Sequence, residues 1–258
     1  MTSTFASMHH DPALSRLPQS LVDAFHLTER QRNPIGRGRS IIASGQPVSS
    51  VFLISEGWAV SRLSIDTDDT QILDILGPGS FAGLDHLDEL GDDDYAAIAL
   101  QDVLAYRFDA EKLQDVCSKS PELSQWLSEE LSHQTQRAQR HLAALGQLPA
   151  RGRLAFAMIR IFDVAQQTGE SVTGKTIRLP MTQEEIGNML GLTNVSISKL
   201  MSAFRKEGLI DYGRNRIVLH DLEALSEICG MSPETVRAPS GAKAEPSVSE
   251  SYAAAHGR

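Results

Sequence analysis

Residues 179–219 read LPMTQEEIGNMLGLTNVSISKLMSAFRKEGLIDYGRNRIVL, and no other stretch restricts the fold so tightly. Thr182 is an N-cap, and Glu185 three residues on closes a capping box. Ile186, Met189 and Leu190 form the apolar side of the short helix that follows. Gly191 and Leu192 turn the chain, and Thr193 or Asn194 caps a second helix predicted to run to Glu207. There Ile197, Leu200, Met201 and Phe204 recur at helical spacing, which leaves Ser196, Ser198, Lys199 and Arg205 for the surface. Gly208 supplies the stop. Two apolar runs, 209–212 and 217–219, flank Gly213-Arg214-Asn215-Arg216 and predict a small hairpin. Short helix pairs also occur in folds that never meet DNA. Here the capping box, the turn, the small polar start of the second helix and the basic hairpin agree on a winged helix-turn-helix. That arrangement lays its second helix in the DNA major groove.

The formal net charge of -9 opposes a nucleic-acid partner until it is divided along the chain. Residues 1–130 carry 9 Lys and Arg against 21 Asp and Glu, whereas 137–219 carry 12 against 6. The basic charge is local, as an electrostatic footprint on DNA requires.

Cys117 and Cys229 share no motif, which excludes a disulfide framework and a multi-cysteine metal site within the chain. Both read as buried small apolar residues. No apolar run approaches the roughly 18 residues of a membrane span, and the N-terminus lacks a signal pattern. A cytoplasmic protein with no membrane partner is expected. No Walker A string, His-Glu-x-x-His or Gly-x-Ser-x-Gly elbow is present, so no enzyme, metal or cofactor is expected.

Residues 14–27 read as one or two short helices. From 30 to 108 the pattern changes to short β-type runs: Ser40–Ile42, 51–55, Ala59–Ser64, 71–76, 96–100 and 103–108. Turn signals such as Glu56-Gly57 and Gly77-Pro78-Gly79 separate them, which predicts a small all-β barrel or roll. Ser120-Pro121-Glu122 opens a long helix, with Pro121 at the first helical position, and Gly146 and Pro149 are expected to end it. Leu127, Leu131, Gln134, Ala138, His141 and Leu145 recur at alternating spacings of four and three, a coiled-coil seam that predicts a homodimer. The alternative is a helix that packs only on its own roll. Another helix is expected over 151–166. Residues 232–258, rich in Pro, Ser, Ala and Glu, read as disordered.

A glycine-punctuated roll, one long helix and a winged helix-turn-helix resemble the Crp/Fnr family of bacterial transcription regulators. The specific strings are Gly77-Pro78-Gly79-Ser80-Phe81-Ala82-Gly83, Leu190-Gly191-Leu192-Thr193 and Arg205-Lys206-Glu207-Gly208-Leu209-Ile210. The resemblance implies an α+β chain with an N-terminal double-stranded β-helix, a jelly-roll-like β-roll of the cyclic-nucleotide-binding type. The expected units are a loose terminus at 1–13, a sensor roll at 14–119, a dimerisation helix at 120–146, the winged unit at 147–231 and a tail at 232–258. The partners it implies are double-stranded DNA, a second copy of the chain and RNA polymerase, with the effector unknown.

Departures from the family pattern bear on the effector. Nucleotide-binding members carry a Glu after the glycine matching Gly83 to hold the ribose, and an Arg-Ser or Arg-Thr pair to hold the phosphate. Here those regions read Leu84 and Asp92-Asp93-Asp94-Tyr95. A phosphate needs cationic or N–H donors, so standard cAMP binding is not expected. The tentative effector pocket is Gly83, Leu84, Asp94 and Tyr95. A nucleotide bound in a non-standard way and a regulatory subunit of an enzyme are the alternatives. His86 reads as a loop residue rather than a haem ligand, and the acids from Asp85 to Asp94 as a solvated loop rather than a cation site.

The resemblance places base reading at Asn194, Val195, Ser196 and Lys199. Val195 stands where the family's best-known branches have Glu, so acceptance from a cytosine amine is lost there. Thr193 and Ser196 suit phosphate contacts at the helix N-terminus, and Arg214 and Arg216 suit them on the wing. Thr182, Ser198 and Arg205 complete the expected DNA-facing set.

Overall fold

The computed structural model describes residues 11–45, 47–64, 70–87, 94–167 and 176–231. Eight short strands build the first half: β1 (Asn33–Ile35), β2 (Ser40–Ile42), β3 (Ser50–Glu56), β4 (Ala59–Ser64), β5 (Thr70–Leu76), β6 (Phe81–Ala82), β7 (Tyr95–Ala99) and β8 (Val103–Asp109). They form two four-stranded antiparallel sheets, ordered β1-β8-β3-β6 and β2-β7-β4-β5. Ile42, Ile54, Leu76, Tyr95, Ala97, Ala99, Val103 and Ala105 pack between the sheets, and the alanines of β7 let the backbones approach. Gly57 makes the β3–β4 turn at φ 87°, where a Cβ would collide with the Asp102 carbonyl oxygen.

Six of these strands match their expected runs to within a residue at either end; β1 and β6, three and two residues long, carry too little pattern to be foreseen. The helix α1 (Gln19–Ala24) and the helix α2 (Ala110–Lys119) close the outer face of β3 and β8. No expectation covered α2, although Asp109 caps it by accepting the Lys112 N–H at 2.9 Å. Asp11 and Ala13, assigned from sequence to the loose terminus at 1–13, are buried. The Asp11 carboxylate takes the hydroxyls of Ser55 at 2.5 Å and Tyr106 at 2.8 Å, which ties the segment to the roll.

Ser120 and Pro121 start α3 (Pro121–Gln147) as expected, but Gly146 stays helical and the helix stops one residue later. α4 (Ala150–Gln167) is apolar almost all round and is buried accordingly. It runs through the middle of a single core that joins Trp58, Val60, Ile72, Ile75 and Leu100 of the roll to the C-terminal unit. That unit comprises β9 (Thr176–Arg178), α5 (Gln183–Leu190), α6 (Asn194–Lys206), β10 (Ile210–Gly213), β11 (Arg216–Leu219) and α7 (Leu222–Cys229), with sheet order β10-β11-β9. α7 was not anticipated; Asp221 caps it and α4 packs against it. Cys117 and Cys229 are both buried and free. No helix among the described residues is long and apolar enough to cross a membrane.

Candidate nucleic-acid interface

Local chemistry fixes the helix pair. Thr182 accepts the Glu185 N–H at 3.1 Å while Glu185 accepts the Thr182 N–H at 2.6 Å, the reciprocal capping box. Gly191 ends α5 in the left-handed region at φ 62°. Thr193, rather than Asn194, caps α6 by accepting the Ser196 N–H at 3.2 Å, so Asn194 is the first helical residue. Ile197, Met201 and Phe204 are buried beneath α6. The opposite side presents Asn194, Val195, Ser198 and Lys199, and Val195 is 63% exposed, unusual for an aliphatic residue without a partner. Ser196 is half-buried, its hydroxyl 2.9 Å from that of Thr193, so both are engaged in the cap.

The wing turns at Arg214 and Asn215, with Asn215 at φ 56°, a conformation asparagine tolerates better than most residues. Arg214 and Arg216 are exposed. Arg205, expected on the DNA-facing surface, is instead committed to the wing. It pairs with Asp211 at 2.9 Å, donates to the Tyr212 carbonyl and stacks over the Tyr212 ring at 3.8 Å. It fixes the angle between α6 and the hairpin.

The six seam residues of α3 largely meet their own chain. Leu127 and Leu131 pack on the core formed by the roll and α2, and Gln134 donates to the Phe81 carbonyl at 3.4 Å. His141 Nε2–H donates to the Met189 carbonyl at 2.9 Å, and Leu145 is half-buried. Ala138 lies on the exposed side with Thr135, Gln139 and Leu142. Leu142, which was not among the expected seam residues, is 71% exposed. A four-three spacing identifies an apolar stripe but not which body covers it.

Between sheet and helix lies a cavity of about 90 Å3, lined in part by Ser61, Asp74, Asp85, Tyr95, Gln134 and Arg137. Of the four residues expected in the effector pocket only Tyr95 is among its walls. Leu84 is buried in the core beside α2, Gly83 turns at φ 80° against Ile42, and Asp94 is exposed. Asp92 and Asp93 lie outside the described residues, as do Asp88 and Glu89. The Tyr95 hydroxyl accepts the Gly83 N–H at 3.2 Å, and its ring lies 4.0 Å from that of His86. Burial, and then the charge of Asp85, push this hydroxyl above the ordinary phenol range, so it keeps its proton. The Gln134 side-chain oxygen is buried with no hydrogen-bond partner among the described residues.

Asp74 and Arg137 line this cavity and also a smaller one beneath α5. The Asp74 carboxylate meets Arg137 at 3.2 Å and Arg160 at 3.1 Å, joining β5, α3 and α4. Burial pushes its pKa up, but the two guanidiniums and the Ile75 N–H outweigh that and hold it below the usual carboxylate range. Arg160 also pairs with buried Asp163 at 3.1 Å. Above the network, the last turn of α5 has its carbonyls taken by side chains from elsewhere: Asn188 by Gln71 at 2.7 Å, Met189 by His141, and Leu190 by Arg153 at 3.2 Å. Nothing in the periodicity of either segment signalled these contacts.

Two family models match this chain, a cyclic nucleotide-binding domain over residues 33–120 and a Crp-like helix-turn-helix domain over residues 152–228. The anaerobic regulatory protein of Pasteurella multocida is 26% identical over 220 residues, 85% of this chain and 79% of that protein. The fumarate and nitrate reduction regulatory protein of Escherichia coli is 28% identical over 205 residues, 80% of each. The structure of FixK2 from Bradyrhizobium japonicum overlays with a TM-score of 0.67 at 22% identity, covering 76% of this chain and 96% of that one, a likeness of fold. With a cyclic-nucleotide-binding-like roll, a long helix and a Crp-like helix-turn-helix in this order, the chain is a transcription regulator of the Crp/Fnr family.

Proposed function

We propose that the protein works in the cytoplasm as a homodimer that reads a near-palindromic operator. The observation that carries this reading is the bare start of α6, where Asn194, Val195, Ser198 and Lys199 stand exposed on a helix capped at its N-terminus and buried along its back. Lys199 donates to guanine, Val195 meets a thymine methyl, and Arg214 and Arg216 hold flanking phosphates. Thr182 stands at the exposed start of α5 for a backbone contact. Two copies of α6 are needed for two half-sites, and the side of α3 bearing Ala138 and Leu142 supplies the pairing surface. The roll, within 14–119, acts as a sensor that does not take cAMP in the standard way, since Leu84 and Asp92-Asp93-Asp94 stand where a ribose-holding carboxylate and a phosphate-holding Arg would be needed. RNA polymerase is the partner through which bound dimers act.

Selecting bound sequences from a random duplex pool with purified protein and no added nucleotide tests this reading. The expected product is an inverted repeat with half-site centres about 10 base pairs apart. Failure to enrich any sequence would overturn DNA reading, and a lone half-site would overturn the dimer.

A further inference from the structure

Three residues form a row across the wing sheet at its tip: Gly213 pairs with Arg216, and Arg216 pairs with Arg178. In the adjacent row Ile217 pairs with Ile177, and both are buried. Alternation therefore sends Arg216 and Arg178 together to the solvent side, where both are exposed. The Leu179 N–H donates to the Asn215 carbonyl at 3.1 Å, carrying β9 up to the turn, so Arg178 stands beside the wing tip. The nearby acid of the hairpin, Asp211, is taken by Arg205. Among the described residues neither Arg178 nor Arg216 has an ion-pair partner, whereas Arg32, Arg137, Arg151, Arg160 and Arg205 each have one.

Like charges directly opposite one another weaken an antiparallel pair. The fold accepts that cost at one register and offsets it with no ion pair among the described residues. Guanidiniums match phosphate oxygens in planar, paired geometry. We propose that Arg178 and Arg216 form a two-guanidinium clamp on the DNA backbone, so that β9 belongs to the interface together with the hairpin. This rests on the DNA-binding reading above.

The test measures binding of the full-length protein to a mixed-sequence duplex as salt is varied, because a backbone contact is blind to sequence. Arg178→Gln should lower the slope of log K against log salt by about one unit. Between about 50 and 200 mM salt it would then lose about 3.5-fold less affinity than the parent. Arg178→Lys should keep the parental slope. The melting temperature of Arg178→Gln should hold or rise, since a repulsion is relieved. A parental slope in Arg178→Gln, or a melting temperature lowered by several degrees, would overturn the clamp while leaving DNA binding intact. A parent protein that binds no duplex would instead sink the underlying reading.

Discussion

Asn188 accepts the Ile72 backbone N–H on its side-chain oxygen at 2.6 Å, so one amide of the reading unit stands in for a missing strand at the edge of the sensor sheet. It also donates to the Thr70 carbonyl, and Gln71 returns a bond to the Asn188 carbonyl. Unpaired edge groups are otherwise left to water or to another chain. Asn188→Ala should cost about 1–3 kcal/mol, the penalty for buried groups left without partners. It should also speed hydrogen exchange at the Ile72 amide about tenfold or more. Unchanged protection there would mean that something other than Asn188 covers the edge.

Asp74 gives the protein an acid-sensitive joint. Its carboxyl is held below the usual carboxylate range, so the stability it contributes is present above that range and is lost as pH falls through its folded-state value. The difference in stability between parent and Asp74→Asn should therefore shrink as pH is lowered from neutral through and below the usual carboxylate range. At neutral pH the variant should be less stable by about 3 kcal/mol, as when one partner of a buried pair is removed. Denaturant titrations at several pH values provide the measurement, and a difference independent of pH contradicts the role.

Leu142 is the residue of α3 whose exposure asks for a second copy. Leu142→Asp should yield a folded monomer, read by sedimentation together with a circular-dichroism melt. Leu131→Asp should instead unfold or destabilise the roll, since Leu131 packs on its own chain. A dimer that persists in Leu142→Asp excludes this side of α3.

Millimolar cAMP should neither raise the melting temperature nor tighten DNA binding. Tyr95 occupies the Gly83 N–H, and the cavity walls carry Asp74 and Asp85. A ligand at about 100 times its Kd would add about 2.7 kcal/mol, which a thermal scan resolves easily. A cAMP-dependent shift in melting would show that Tyr95 yields its place.

The helix-turn-helix was legible because its signals are local: Thr182 with Glu185, Gly191, and the spacing from Ile197 to Phe204 all act within one or two turns. The roll was legible as a class, since short alternating runs between glycines admit few other folds. The cavity walls were not, because Asp74, Asp85, Gln134 and Arg137 come from three distant segments and no periodicity links them. The seam was half legible. Its spacing located an apolar stripe, but Leu131 and His141 turn out to face their own chain, and only tertiary packing decides that. Arg205 shows the same limit, since a basic residue on a helix surface looks identical whether it meets phosphate or the neighbouring Tyr212.

The closure of the Asn188 and Met189 carbonyls in the last turn of α5 by Gln71 and His141 has a practical corollary for engineering. A reading head whose helix end is finished by its sensor is not a portable part. Grafted behind a foreign roll lacking a counterpart of Gln71, or fused to a long helix without a histidine at the place of His141, it would arrive with the side-chain donors to its Asn188 and Met189 carbonyls missing. Chimeras of this protein should therefore be cut outside the span from β5 to α5, so that the two halves travel as one piece.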